Sequence, residues 1–251
     1  MLSRIFLCVV LLLSVGSVWS QAPRNVAEQY LFNAANAERQ VRGLVPLRWD
    51  ESLYRAAWLH AREMAERESI SHQYAGEPEL SERAQSAGAR FSVVAENVAE
   101  APTALMIHEG WMESEHHRDN LLDPRLDRIA ICVLMRDGEL YAVQDFDHGV
   151  AVMSFDQQEG AVANLLAQTA PVNVRPGSEE ARETCKMDTG YAGTRRPWFV
   201  MRFTTSELDA LPAELRSRLS TGKYREALVG ACPARGVGRF TSYNIAVLLY
   251  P

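Results

Sequence analysis

Helical periodicity dominates the first half of the chain. Apolar residues recur at intervals of three and four along residues 25–42. A second, alanine-rich apolar stripe follows Asp50, a residue type that favours the start of a helix. Shorter helices are predicted for residues 79–87 and 103–115. The pattern therefore predicts four helices ahead of the first clear strand.

The apolar pattern changes at residue 129. Residues 129–135 are apolar at successive positions, which is typical of a strand covered on both faces. Asp137-Gly138 favours a tight hairpin turn, and the return strand is predicted for residues 139–146. Helices followed by an antiparallel hairpin indicate an α+β domain in which the helices pack on the sheet.

The last hundred residues have a different pattern. A helix is predicted for residues 158–168, whereas residues 171–194 are rich in Pro, Gly, Arg and Glu and are predicted to be a loop or linker. The other predicted elements are strands at 198–203, 227–232 and 240–250 and a leucine-rich helical stretch at 208–219 that Pro212 breaks or restarts. Residues 150–251 are thus predicted to form a smaller C-terminal α+β domain or extension.

The N-terminus has the pattern of a targeting segment. Arg4 precedes a nearly unbroken apolar run at residues 5–15, and Val18 and Ser20 suit a cleavage site. The run is shorter than the roughly 20 residues that cross a bilayer. Residues 1–20 are predicted to be a cleaved signal peptide, with an uncleaved anchor as the alternative. The mature protein is then expected to be secreted, extracellular or periplasmic, without a stable membrane span.

The net charge and the cysteine content further limit the functions and the disulfides that the sequence allows. The formal net charge of −6 gives no sign of the basic face that nucleic-acid binding needs. Cys8 leaves with the predicted signal peptide, and Cys132 lies in an apolar run that predicts a buried thiol. Cys185 and Cys232 remain as the candidate disulfide in an oxidising compartment.

Six short segments, in order, resemble one known family. They are similar to the CAP/SCP superfamily (cysteine-rich secretory protein, antigen 5, pathogenesis-related), in its bacterial extracellular type. The resemblance covers roughly residues 28–147. The segments are Asn36-Ala37-Glu38-Arg39, Gly43-Leu44-Val45-Pro46-Leu47, Ser71-His72, Ala95-Glu96-Asn97-Val98-Ala99, His117-Arg118 with Asn120, and Gln144-Asp145-Phe146.

The resemblance implies a fold and a site. It implies a three-layer α/β/α sandwich with a central, mainly antiparallel sheet over residues 25–149. It also implies a surface cleft where two histidines and one or two glutamates meet. By that resemblance, His72 and His117 are the candidate metal ligands, and Glu96 and Glu113 are the candidate catalytic carboxylates. Glu113 is only the nearest match to a glutamate that bacterial relatives often lack.

The chemistry of the cleft has two interpretations. Two imidazoles and a carboxylate suit Zn²⁺ in kind, because a catalytic zinc takes three protein ligands and a water. The alternative is a polar cluster that holds the cleft together by hydrogen bonds. The match to His-Arg-x-Asn favours His117 as the cleft residue and leaves His116 facing solvent or in an auxiliary role.

Two functions follow from the resemblance. One is a binding module for an apolar or cell-envelope ligand, such as a lipid or a cell-wall polymer. The other is a zinc-dependent hydrolase of cell-wall or peptide substrates, with zinc-activated water and Glu96 as base. No Gly-x-Ser-x-Gly elbow or phosphate-binding glycine loop is present. The sequence leaves open whether the protein is an enzyme.

Overall fold

The structure is a computed structural model of the 251-residue chain and describes residues 23–233 and 240–251. The predicted signal peptide lies outside the described residues. The elements of the first part are α1 (Val26–Val41), β1 (Arg48–Trp49), α2 (Glu51–Arg67), α3 (Leu80–Ser86), β2 (Phe91–Ala101), α4 (Ala104–Glu113), α5 (Glu115–Leu122), β3 (Arg128–Arg136) and β4 (Glu139–Gly149).

A four-stranded sheet forms the centre of this first part. Its strand order is β1-β3-β4-β2, with β1 parallel to β3 and the other neighbours antiparallel. Residues 140–147 of β4 are all buried, and alternate residues of a strand face opposite sides, so both faces of the sheet are covered. The mainly antiparallel sheet within an α/β/α sandwich confirms the predicted fold class.

The Asn-x-x-Arg segment of α1 has a structural role. Arg39 is fully buried. Its guanidinium crosses the core and donates hydrogen bonds of 2.9 to 3.1 Å to the backbone carbonyls of Val45, Leu121, Asp123 and Leu126. Asn36 binds both the backbone N–H and the carbonyl of Leu47. The two side chains thus hold two segments against α1: the loop between α1 and β1, and the end of α5 with the loop that leads to β3.

Replacing Arg39 tests this role. Arg39→Met leaves four carbonyls without their donor, so we expect the free energy of unfolding to fall by about 3 kcal/mol or more. Arg42→Met is the matched control, because Arg42 lies on the surface of α1 and pairs only with groups of Glu38. We expect a loss below about 0.5 kcal/mol there. Urea unfolding compares the two, and equal losses would refute the role of Arg39.

The C-terminal part contains a second four-stranded sheet. Its strand order is β5-β7-β8-β6, and its helices contribute to separate apolar cores. The elements are α6 (Phe155–Thr169), β5 (Asn173–Pro176), α7 (Glu179–Lys186), β6 (Phe199–Thr205), α8 (Ala213–Leu219), β7 (Glu226–Cys232) and β8 (Tyr243–Tyr250). Contacts tie the two parts together, including a 2.7 Å hydrogen bond from the Tyr243 hydroxyl to the Ala151 carbonyl.

Three sequence-based expectations about elements are corrected. The predicted loop at 171–194 contains β5 and α7; β5 tolerates its proline because it lies at a sheet edge, and α7 buries only a narrow stripe. The predicted helix at 103–115 ends at Ser114, whose extended backbone separates α4 from α5. The leucine-rich stretch is helical only from Ala213, directly after Pro212.

The cysteine predictions are confirmed. Cys185 and Cys232 form a disulfide between α7 and β7, and Cys132 is a buried free thiol. The bridge closes a loop with a sequence separation of 47 residues. Within the two described ranges, we find no helix long and apolar enough to cross a bilayer.

Loss of the bridge is expected to loosen the C-terminal sheet. The Cys185→Ser/Cys232→Ser protein should lose about 2–4 kcal/mol, because the reduced chain gains loop entropy when it unfolds. Dithiothreitol should shift the urea midpoint of the wild-type protein in the same direction. An unchanged midpoint in both experiments would show that the bridge does not stabilise this region.

Candidate functional site

Three elements bring the predicted cleft residues together. Glu96 lies on β2, where it is the register partner of Asp145 on β4. His72 lies in the loop between α2 and α3, and His117 lies on α5. The site is therefore built at a face of the sheet, from one strand, one loop and one short helix.

Both carboxylate oxygens of Glu96 have partners. Oε1 lies 2.9 Å from Nδ1 of His72, and Oε2 accepts a hydrogen bond from the Arg83 guanidinium. Arg83 also donates to the carbonyls of His72 and Pro78, at 3.2 and 3.1 Å. The side chains of Glu96 and Arg83 are each only 3% exposed. Glu96 is therefore a buried anchor for the loop that carries His72.

His72 presents an open imidazole edge. Its side chain is 61% exposed, although Nδ1 is bound to Glu96. The hydrogen bond that His72 donates to Glu96, and next the charge of that carboxylate, raise the pKa of His72 above its ordinary value. A carboxylate on Nδ1 also fixes the tautomer and ring orientation, so Nε2 is the nitrogen left for a ligand.

His117 is the second imidazole of the cleft. Burial lowers its pKa most, and the positive charges of His72 and His116 lower it further. His116 is exposed, whereas His117 is half-buried. The assignment of His117, rather than His116, to the cleft stays a prediction.

Glu113 does not join this cluster by hydrogen bonding. It is the exposed last residue of α4, and no hydrogen bond or ion pair links it to another described residue. Among the candidate residues, direct contact is therefore seen for His72 and Glu96, with His117 close enough to act electrostatically.

Three amide side chains join α5 to the sheet. Asn97 Nδ2 donates to the His117 carbonyl at 3.0 Å and to Gln144 Oε1 at 3.1 Å. Asn120 Nδ2 donates to Asn97 Oδ1 at 3.0 Å and to the Glu96 carbonyl at 3.2 Å. These bonds hold the helix that carries His117 against the strand that carries Glu96.

His60 binds the loop that carries His72. It is fully buried and lies on α2. Its Nδ1 lies 2.6 Å from Glu77 Oε1, and its Nε2 lies 2.7 Å from the Ser71 carbonyl. Both ring nitrogens are thus used to shape the segment that precedes His72.

Asp145 is a buried acidic residue that sequence reasoning did not assign to the site. Burial, and next the charge of the adjacent Glu96, raise the pKa of Asp145 well above its ordinary value. Two adjacent buried carboxyl groups rarely ionise together, and Arg83 pairs with Glu96, so the uncharged form of Asp145 is favoured. The available signal was an acidic residue next to Gln144, inside the predicted return strand of the hairpin.

The cleft does not fit a three-ligand zinc centre. In the part of the chain that the structure describes, no three His, Cys, Asp or Glu side chains gather as a metal-binding group. The cleft supplies two imidazoles, and both oxygens of Glu96 are already hydrogen-bonded. A catalytic zinc normally needs a third protein ligand.

The helix-covered sheet and its His–Glu cleft define a class of domain. Residues 32–146 match the family model described as "CAP: Cysteine-rich secretory protein family". The match covers slightly less than half of the chain and confirms the resemblance seen in the sequence motifs.

The chain is similar to proteins from several bacteria. It is 31% identical over 115 residues to the uncharacterized protein YkwD and 28% identical over 114 residues to the uncharacterized membrane protein YlbC, both of Bacillus subtilis. These segments cover 45% and 44% of the chain but only 45% and 32% of the two relatives. A solved extracellular protein containing a SCP domain, from Bacillus anthracis, is 26% identical, with a TM-score of 0.45 and coverage of 48% of this chain and 40% of that one.

The hydrogen bond to Glu96 can be tested by titration. We expect Glu96→Gln to lower the pKa of His72, because the charged acceptor is lost. Histidine-resolved NMR measures this pKa, and Glu113→Gln is the control that should leave it unchanged. An unshifted His72 pKa in a folded Glu96→Gln protein would contradict the contact.

The same contact gives stability a pH dependence. The folded-state pKa of His72 is raised, so its stabilising contribution is fully present below the unfolded value of about 6.5. The contribution is lost as the pH rises through the folded-state pKa. Because His72 is mostly exposed, we expect the effect on unfolding to be small.

Proposed function

We propose that the chain is a secreted or periplasmic binding protein whose CAP domain recognises a cell-envelope ligand through the His72–His117 cleft. One observation carries this proposal: both oxygens of Glu96 are held by His72 and Arg83. A carboxylate that is bound in this way and only 3% exposed orients a histidine and presents little surface to a water that it could activate. The cleft then offers imidazole donors for recognition.

The electrostatics of the cleft favour a polar or anionic ligand group. The raised pKa of His72 increases the fraction of its ring that is cationic near neutral pH. The exposed Nε2–H of that cation can donate to a carboxylate, a phosphate or a sugar oxygen. His117, with its lowered pKa, stays largely neutral and can accept or donate a hydrogen bond.

The cell envelope is the proposed setting for two reasons. The predicted signal peptide would export the chain. Relatives of the CAP domain carry the descriptions "membrane protein" and "extracellular protein". We extend that setting to this chain as part of the proposal.

The zinc-dependent hydrolase is the less favoured function. It requires a third metal ligand and a carboxylate oxygen free to act as base. Its support is limited to two histidines in one cleft and the similarity of the chain to CAP domains.

A sedimentation assay with purified peptidoglycan sacculi tests the proposal. Protein lacking residues 1–20 should co-sediment with sacculi and release no soluble fragments. We expect His72→Ala/His117→Ala to weaken binding about tenfold or more, because both cleft imidazoles are lost. His116→Ala is the control and should bind as the wild-type protein does. Equal binding by all three proteins, or absence of binding, would refute recognition of this polymer by the cleft.

Zinc calorimetry separates the two functions. We expect no one-to-one zinc binding tighter than micromolar at neutral pH, because the cleft lacks a third ligand. Tight binding that is lost in His72→Ala and in His117→Ala but kept in His116→Ala would contradict this expectation. Together with fragment release from sacculi, it would establish the hydrolase instead.

A further inference from the structure

A second concave site lies beside α2, away from the exposed edge of His72. It is a groove of about 630 Å³ between the outer side of α2, the loop at residues 75–78 and the end of α3. This volume lies in the range of small-molecule sites. We refer to it below as the α2 groove.

The α2 groove has a positive lining in an acidic protein. Its walls carry two glutamates, Glu63 and Glu77, against four arginines: Arg55, Arg62, Arg67 and Arg83. The formal charge of these six side chains is about +2, whereas that of the chain is −6. Glu66 and Glu96, outside the lining, pair with Arg62 and Arg83, whereas Arg55 pairs with no carboxylate among the described residues. Charge complementarity favours an anionic occupant.

Two guanidinium donors at this groove are buried without a hydrogen-bond partner among the described residues. They are Nε of Arg62 and Nε of Arg83. The ion pair of Arg62 Nε with Glu66 is long, at 3.5 Å. The side chain of Arg83 is 3% exposed, and its other nitrogens are used by Glu96 and by backbone carbonyls. A buried donor without a partner is costly, so an anion that supplies acceptors would gain on binding.

Part of the α2 groove is apolar. Leu59 is 45% exposed and lines it together with Ala75, Pro78 and Ala87. A ligand that fills the groove would therefore place an anionic group near the arginines and a short hydrocarbon part against these residues.

We propose that the α2 groove binds an organic phosphate monoester with a short apolar substituent. A phosphate monoester carries a charge near −2 and three strong acceptor oxygens, which match the charge surplus and the several guanidinium donors better than one carboxylate does. Arginine forks suit phosphate in geometry as well as charge. The proposal does not depend on the proposed function of the cleft.

The probe for the test is hexyl phosphate, titrated into the protein lacking residues 1–20 by calorimetry at pH 7.5 and low salt. We expect saturable one-to-one binding. Arg62→Gln/Arg67→Gln should weaken it at least about tenfold, because two of the cationic donors are removed. The side chains of Arg62 and Arg67 are 44% and 49% exposed on α2, so the fold should persist. Arg42→Gln, on the surface of α1, is the matched control and should bind as the wild-type protein does.

Two further ligands test the chemistry of the occupant. Inorganic phosphate should bind more weakly than hexyl phosphate, because it lacks the apolar part, and hexanoate should bind more weakly because it has one negative charge. Equal affinity for inorganic phosphate would contradict a role for the apolar substituent. Equal affinity for hexanoate would contradict the preference for a doubly charged phosphate. Absence of saturable hexyl phosphate binding, or equal binding by Arg62→Gln/Arg67→Gln, would overturn the site itself.

A last variant separates this site from the cleft. His72→Ala/His117→Ala should bind hexyl phosphate with wild-type affinity, because neither histidine lines the α2 groove. Loss of binding in that variant would assign the phosphate to the cleft and contradict the proposal. Failure of the sacculus assay would leave the result at the α2 groove unaffected.

Discussion

The buried ion pair between Arg83 and Glu96 is the interaction on which the site depends. Removing two charges from water is expensive, and such a pair persists only where further hydrogen bonds satisfy the remaining donors and acceptors. Here Glu96 also binds His72. Arg83 also donates hydrogen bonds to the backbone carbonyls of His72 and Pro78, in the loop between α2 and α3. The pair therefore joins α3, β2 and the His72 loop into one arrangement.

Charge balance explains how the neighbouring strand can carry another acid. Asp145 faces Glu96 across the β2–β4 ladder, and a second negative charge there would have no cation to match it. Burial and the charge of Glu96 raise the pKa of Asp145, which favours its uncharged form and leaves the Arg83 guanidinium to compensate Glu96. The same guanidinium lies between the cleft and the α2 groove, so Arg83 belongs to the walls of both sites.

Long periodic segments and ordered motifs were the predictable part of this protein. The sequence predicted α2 and the β3–β4 hairpin because each buries a broad apolar face. It predicted α1 from the spacing of apolar residues, but the buried face of α1 includes Glu28 and Arg39, whereas Val26 and Val41 are exposed. The motifs predicted that His72 and Glu96 lie in one cleft, and the two side chains are in contact. Their partner Arg83 was not recognised, because the ion pair joins a short helix to a strand and neither has a periodic signal.

Short elements were predicted poorly for physical reasons. The break between α4 and α5 depends on the backbone of Ser114, which has no glycine or proline to indicate it. Strand β2 mixes Glu96 and Asn97 with small residues, since its polar side chains serve the cleft. In α7 a narrow buried stripe and a disulfide replace the broad apolar face of a longer helix.

The central claim is that Arg83 holds Glu96 as a compensated, orienting carboxylate. A double-mutant cycle of Arg83→Met and Glu96→Gln, read as free energies of unfolding in urea, tests it most directly. Each single substitution should cost about 3–5 kcal/mol, because it leaves one polar partner buried alone. The double variant should cost clearly less than the sum of the two, by about 2 kcal/mol or more. Additive losses would show that the two side chains do not interact in this way, and would contradict the account of the cleft.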